Sequence, residues 1–142
     1  MNRDSKKRTE IVVVCGPPGS GKTSYIRENK WEGDLVWDWD AISAAITLEP
    51  LYTPWPEGAM DFLLGMRERF CAIAAHGDGR VRRVWIIVSE RNAFTAQLTQ
   101  LGAVVIEMKA SEEDCRERLA LRGPEATRTL DKYLARTQTK TA

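Results

Sequence analysis

Ile11-Val12-Val13-Val14-Cys15-Gly16-Pro17-Pro18-Gly19-Ser20-Gly21-Lys22-Thr23-Ser24 carries the strongest signal in this 142-residue chain. Four β-branched aliphatics in a row mark a strand buried on both faces, as in a parallel sheet. The run then passes through G-x-x-x-x-G-K-T into Tyr25-Ile26-Arg27-Glu28, which reads as helix. Strand, glycine-rich turn and helix in that order are the context that a phosphate-binding loop (P-loop, Walker A) requires. Gly16, Gly19 and Gly21 allow backbone angles that side chains forbid, so successive N–H groups can curl around a phosphate chain. The helix N-terminus behind them adds a partial positive charge. Lys22 brings a mobile full charge to the β- and γ-phosphates, and the Thr23 hydroxyl is placed for Mg²⁺. The expected nucleotide-binding set is therefore Gly16, Pro17, Pro18, Gly19, Ser20, Gly21, Lys22, Thr23 and Ser24, with ATP and Mg²⁺ as cofactors.

Length predicts one domain, able to bury roughly 68–70 % of the surface its unfolded chain exposes. A net charge of +1 gives no whole-chain field toward nucleic acid, so any such contact must come from a local patch. Cys15, Cys71 and Cys115 form no metal or redox spacing, and the one histidine, His76, argues against zinc. Residues 1–10 are polar and basic (Arg3, Lys6, Lys7, Arg8) and read as a flexible lead-in, neither signal peptide nor anchor. No run approaches the eighteen or so apolar residues of a membrane span. These features predict a cytoplasmic protein with reduced thiols.

Along the chain, strands are expected at about 11–15, 35–37, 83–88 and 103–108, and helices at about 22–29, 57–75, 92–101, 111–121 and 126–137. A helical turn or two follows at 41–46. Pro50, Pro54 and Pro56 make 49–57 a loop over one edge of the site. Asn92 and Ser111 read as helix caps, and Gly102 and Gly123-Pro124 as stops. Strands alternating with helices predict an α/β fold with a parallel four-stranded sheet and right-handed crossovers. Ligands in such sheets bind beyond the carboxyl ends of the strands. That rule selects the glycine loop, Asp38/Asp40, Ser89/Glu90 and the turn 109–111.

Alternation in an extended segment would turn Asp38 and Asp40 to one side, with Trp39 opposite. Asp40 there can take the proton of a hydroxyl attacking the γ-phosphate; it can equally cap the helix beginning at Ala41. Asp38 fits the surroundings of Mg²⁺ or a hydrogen bond to the loop. Glu90 occupies the place of an acidic Walker B residue, displaced one step by Ser89, or is a solvated loop carboxylate. Arg118 and Arg122 lie four apart on one helix face, beside a mobile Gly123-Pro124 break, and could close over a triphosphate; Arg122 is the better placed. Arg116 falls on a different face. Arg128, Lys132, Arg136 and Lys140 form a basic stripe that could track a nucleic-acid backbone or be a helix's wet side. Trp37 and Trp85 read as core, whereas Trp39 and Trp55 flank the expected acceptor pocket and could stack on a base.

Together these residues resemble the 5′-kinase domain of phage-type polynucleotide kinases. The likeness is closest over 16–28, where Gly19-Ser20-Gly21-Lys22, Thr23-Ser24, Tyr25 and Arg27-Glu28 follow the family pattern. It continues at Asp40, which falls on the family's catalytic base, at Ser89-Glu90, where the family has Ser-Asp, and at Arg118 and Arg122-Gly123, which fall on its lid arginines. Pro17-Pro18 makes the loop one proline richer, and a family arginine three residues past the base falls on Ser43. The resemblance implies a P-loop NTPase fold of strand order 2-3-1-4. It further implies Asp40, Lys22, Arg122 and Arg118 as catalytic residues, Thr23, Asp38 and Glu90 around the metal, and a polynucleotide 5′-OH or nucleotide-like acceptor. Asp38-Trp39-Asp40 also resembles the D-x-D of shikimate-kinase-like enzymes, which phosphorylate small hydroxyl compounds. A small-molecule or nucleoside kinase is thus a second expectation, and a nucleotide-binding ATPase or switch subunit a third.

Overall fold

The computed structural model describes residues 8–141, without the side chains of 139–141, so the expected lead-in residues 1–7 and the Lys140 end of the basic stripe fall outside the described residues. Four strands, β1 (Glu10–Cys15), β2 (Leu35–Trp37), β3 (Arg83–Val88) and β4 (Val104–Glu107), form one parallel sheet in the order β2-β3-β1-β4. Six helices surround it: α1 (Lys22–Asn29), α2 (Trp39–Thr47), α3 (Ala59–His76), α4 (Ala93–Gln100), α5 (Glu112–Ala120) and α6 (Pro124–Thr141).

β1 is central because its side chains are apolar on both faces. Ile11 and Val13 join Cys71 and Ala74 of α3 and Leu98 of α4 in one core; Val12 and Val14 join Ile26 of α1 and Trp85 of β3 in another. Val13 and Val14 are 0 % exposed, and each buried aliphatic of this kind contributes about 1.5–3 kcal/mol. β3 pairs with β1 in the register Ile11↔Val84, Val13↔Ile86 and Cys15↔Val88, which brings both carboxyl ends level. A third cluster, Cys115, Leu119, Ala126 and Leu130, holds α5 against α6.

Most boundaries fall within a residue or two of expectation, and three places are informative. The segment 38–40 is not extended: Asp38 is the N-cap of α2, its Oδ1 accepting from the backbone N–H of Asp40 at 3.1 Å and of Ala41 at 3.5 Å, so the helix begins at Trp39. The cap is therefore Asp38 and not Asp40. Pro124 does not delay the last helix but occupies its first position, where a missing N–H costs nothing. Within the expected lead-in, Thr9 is held in place, its hydroxyl donating to Val81 O at 2.7 Å, and β1 opens one residue early, at Glu10. Among the described residues no helix is long and apolar enough to cross a membrane.

Candidate active site

All four strands end at one edge, where Gly16 N–H donates to Val88 O at 3.2 Å and Met108 N–H to Cys15 O at 2.7 Å. The glycine loop is pressed between β4 and α5. At Gly19, with φ +83°, a Cβ would stand 2.7 Å from Cys115 O and 2.9 Å from Leu119 Cγ, so only glycine fits. At Gly16 a Cβ would meet Ser20 Oγ at 2.7 Å. The Lys22 ammonium turns back into the loop, donating to Gly16 O and, at 3.4 Å, to Pro17 O. Burial lowers its pKa to about 8, against the opposing pull of Cys15, Asp38 and Asp40. Ser20 Oγ is buried without a hydrogen-bond partner among the described residues. Lys22 is thus a half-buried cation whose hydrogen-bond partners among the described residues are neutral carbonyls.

Asp40 sits in the first turn of α2, and its carboxyl pKa is raised by burial and then by Asp38, with Lys22 pulling the other way. The structure thus brings the end of β2 and the loop after β1 into one electrostatic field. Asp38 is committed to the α2 cap, whereas the Asp40 carboxylate accepts no hydrogen bond among the described residues. Thr23 is half-buried and Ser24 exposed on the first turn of α1.

The two arginines separate. Arg118 Nη1 donates to Gly19 O at 3.1 Å, on the loop itself. Arg122 Nη1 instead donates to Tyr52 Oη at 3.1 Å. Tyr52 belongs to the proline-rich loop, has φ +68°, and packs against the α5–α6 cluster. No local sequence signal marks that contact, because its partners stand 70 residues apart. Arg116 bridges Glu112 and Asp131, each at 2.9 Å, away from the loop as its helix face requires. Glu90 is paired with Arg136 at 3.2 Å. Arg128 of the same stripe pairs with Glu125 at 3.1 Å, so two members of the expected basic track have acidic partners.

Trp37 and Trp85 are core, 3 % and 2 % exposed. Trp39 packs 5.3 Å from Trp55 and 6.3 Å from Trp37. Sequence reasoning passed over Arg67 of α3, whose Cζ lies 3.7 Å from the Phe94 ring centroid and 5.2 Å from that of Trp39. The signal was present: Arg67 follows Leu63 by four residues, on the helix's inner stripe. Two surface hollows, of about 490 and 690 Å³, are lined by residues such as Leu35, Ile73 and Val84 and by Glu10, Tyr25 and Arg83, toward the amino ends of the strands.

No family model and no curated protein matches this chain. Among solved structures, a chain of the Pnkp1/Rnl/Hen1 RNA repair complex superposes with a TM-score of 0.63 at 13 % identity, covering 99 % of this chain and 49 % of that one. The chain thus spans about half the length of that match, and at this identity the likeness is one of fold. The protein APE1195 matches with a TM-score of 0.49 at 19 % identity, over 92 % of this chain and 78 % of that one.

Proposed function

We propose that the chain is a P-loop kinase of the P-loop NTPase fold, transferring the γ-phosphoryl group of Mg²⁺–ATP to a hydroxyl, with a polynucleotide 5′-OH or nucleotide-like acceptor. The observation that carries this reading is Asp40: a half-buried carboxylate, unbonded among the described residues, in the field of a half-buried Lys22 on a glycine loop. The fold shared with a chain of an RNA repair complex supports the nucleic-acid acceptor over a small-molecule one.

In this reading Lys22, the loop amides and Arg118 hold the triphosphate. Asp40 accepts the acceptor's hydroxyl proton while its oxygen bonds to the γ-phosphorus and the bond to the departing diphosphate breaks. Burial and the neighbouring Asp38 raise the pKa of Asp40, which makes its carboxylate a stronger base than a solvated aspartate. Thr23, Asp38 and Glu90 are hard oxygen donors of the kind that would hold Mg²⁺, which would supply positive charge to the phosphate oxygens, once Asp38 is released from the α2 cap and Glu90 from Arg136. Arg122, parked on Tyr52, is available to a bound triphosphate once that hydrogen bond opens.

Asp40→Asn tests the reading. Transfer from γ-labelled ATP to a 5′-hydroxyl oligonucleotide should fall about 100-fold or more, while ATP affinity changes little. Equal transfer by both proteins removes Asp40 as base, and labelling of free nucleosides or shikimate-like alcohols alone removes the polynucleotide acceptor. ATP hydrolysis without transfer, indifferent to Asp40, would make the chain an ATPase or switch.

A further inference from the structure

Helix α3 buries one stripe and leaves apolar groups on the rest of its surface. Ala59, Leu63, Cys71 and Ala74 face the core. Yet Met60, Phe62, Leu64, Met66 and Ile73 are each 40 % or more exposed, with Phe62 at 72 %. A helix on a protein surface ordinarily turns polar residues outward, and apolar side chains all round mark a helix that something covers. Ile73 also lines the hollow of about 490 Å³ beside Leu35 of the edge strand β2, so the apolar strip runs on to the sheet edge.

Gly65 lies at the middle of that outer side, across the helix from Leu63. Its φ is not positive, and a Cβ there would meet nothing within 4 Å. Nothing inside the chain therefore calls for glycine, which weakens a helix interior relative to alanine. On an outer face glycine has one use: it lets a second backbone come close. Asp61, Gly65 and Arg69 follow one another at intervals of four, on a single ridge of the helix. Asp61 and Arg69 are exposed, and neither has a hydrogen bond or ion pair among the described residues. The acid stands one turn before Gly65 and the base one turn after. A second α3 crossing antiparallel at Gly65 thus sets each acid against the other copy's base. Nucleic acid fits this face poorly, since Asp61 and Glu68 outweigh Arg69 around Gly65 and would repel phosphates.

We infer that this face binds a second copy of the chain. The two α3 helices cross antiparallel at Gly65, Phe62 and Met66 are covered, and Asp61 of each copy meets the partner's Arg69. Such a contact is isologous, so every interaction is made twice. A single helix pair lies at the lower end of specific interfaces, which bury about 1,200–2,000 Å² in all, and a dissociation constant of about 1–100 µM is expected. The pairing does not depend on the phosphotransferase reading.

Sedimentation equilibrium of the full chain across that concentration range tests it. The wild type should pass from monomer to dimer. Gly65→Gln should weaken the dimer about tenfold or more, while the dilute monomer unfolds at a higher temperature because glycine has left a helix interior. A residue needed only for the fold would move both quantities the same way. Reversing one charge, in Asp61→Arg or Arg69→Asp, sets like charges together twice and should weaken self-association about tenfold. Mixed with each other, these two variants should pair at about the wild-type strength, because each supplies the charge the other has lost. A wild type still monomeric at about 500 µM overturns the inference. So does a dimer indifferent to Gly65→Gln, or a mixture of the charge variants that associates no better than either alone. If Gly65→Gln does not fold, that mixture decides the matter. A dimer dissolved by a 5′-hydroxyl oligonucleotide, whose binding Gly65→Gln also abolishes, assigns the face to nucleic acid and overturns the inference too.

Discussion

The two edges of the sheet treat charge in opposite ways. At the amino edge Asp34, its side chain 1 % exposed, is fully answered: Arg82 donates from Nη2 at 2.7 Å and from Nε at 3.2 Å, Trp85 Nε1 at 3.1 Å, and the Trp31 N–H at 3.0 Å. Arg82 in turn lies 3.6 Å from the Trp31 ring centroid. At the carboxyl edge Lys22 has only loop carbonyls, Ser20 Oγ is orphaned, and Asp40 and Arg67 have no bonded counter-ion among the described residues. Polar groups shielded from water are ordinarily satisfied, so an edge that leaves several unsatisfied is where the proposed nucleotide would sit. The contrast teaches where to look: a saturated buried charge holds the fold, and an unsaturated one awaits a partner.

Mutation should split the edges cleanly. The largest effect is expected at the carboxyl edge, where Arg118→Gln removes the guanidinium on Gly19 and should lower kcat by about 1,000-fold with an unfolding temperature near that of the wild type. A comparable loss of stability would make Arg118 a structural clasp of loop and helix. At the amino edge Asp34→Ala strands Arg82 and should cost about 3–5 kcal/mol in denaturant unfolding, while the proposed transfer by the folded protein keeps its kcat. Burial alone would raise the Asp34 pKa, but the hydrogen bonds from Arg82, Trp85 and Trp31 outweigh it and hold the carboxyl below its ordinary value. Its stabilisation is therefore present above the ordinary carboxylate range and is lost as pH falls through the lowered folded value. Acid unfolding monitored by circular dichroism should show that loss in the wild type and not in Asp34→Ala.

A smaller effect separates the edges by pH. Lys22, at about 8 in the free protein, is driven toward its charged form by a bound polyphosphate. ATP binding should therefore take up a proton above pH 8 and weaken there by up to about tenfold per pH unit, with little change below pH 7. Calorimetry in buffers of different ionisation enthalpy measures that uptake directly. Uptake that is the same at pH 6.5 and pH 9 would assign it to another group.

Much of this was legible in the residues, and the failures have physical causes. β1 and β3 were read nearly to the residue because unbroken β-branched runs have few alternatives to a buried strand, and their pairing level with one another follows from the parallel sheet. Asn92 and Ser111 were recognisable caps, and both side chains accept the expected backbone N–H. Asp38 is a cap of the same kind, but Trp39 between two aspartates reads as alternation, and tertiary packing of Trp39 on Trp37 and Trp55 settles the matter for helix. Pro124 reads as a stop when it follows glycine, although proline at a first helical position is equally at home. Arg122 on Tyr52 was beyond reach, since no periodicity reports a contact between a loop and a distant helix. Arg67 was within reach, as a cation on an apolar stripe.

Lys22→Met tests most directly whether the carboxyl edge holds its charges for a nucleotide. Thermal unfolding of wild type and variant, each with and without Mg²⁺–ATP, measures stability and binding together. The variant should unfold at or above the wild-type temperature when free, because a partly desolvated cation has been removed, and ATP should raise the unfolding temperature of the wild type alone. A variant that is less stable when free, beside a wild type indifferent to ATP, would mean that Lys22 fastens the loop and serves no ligand.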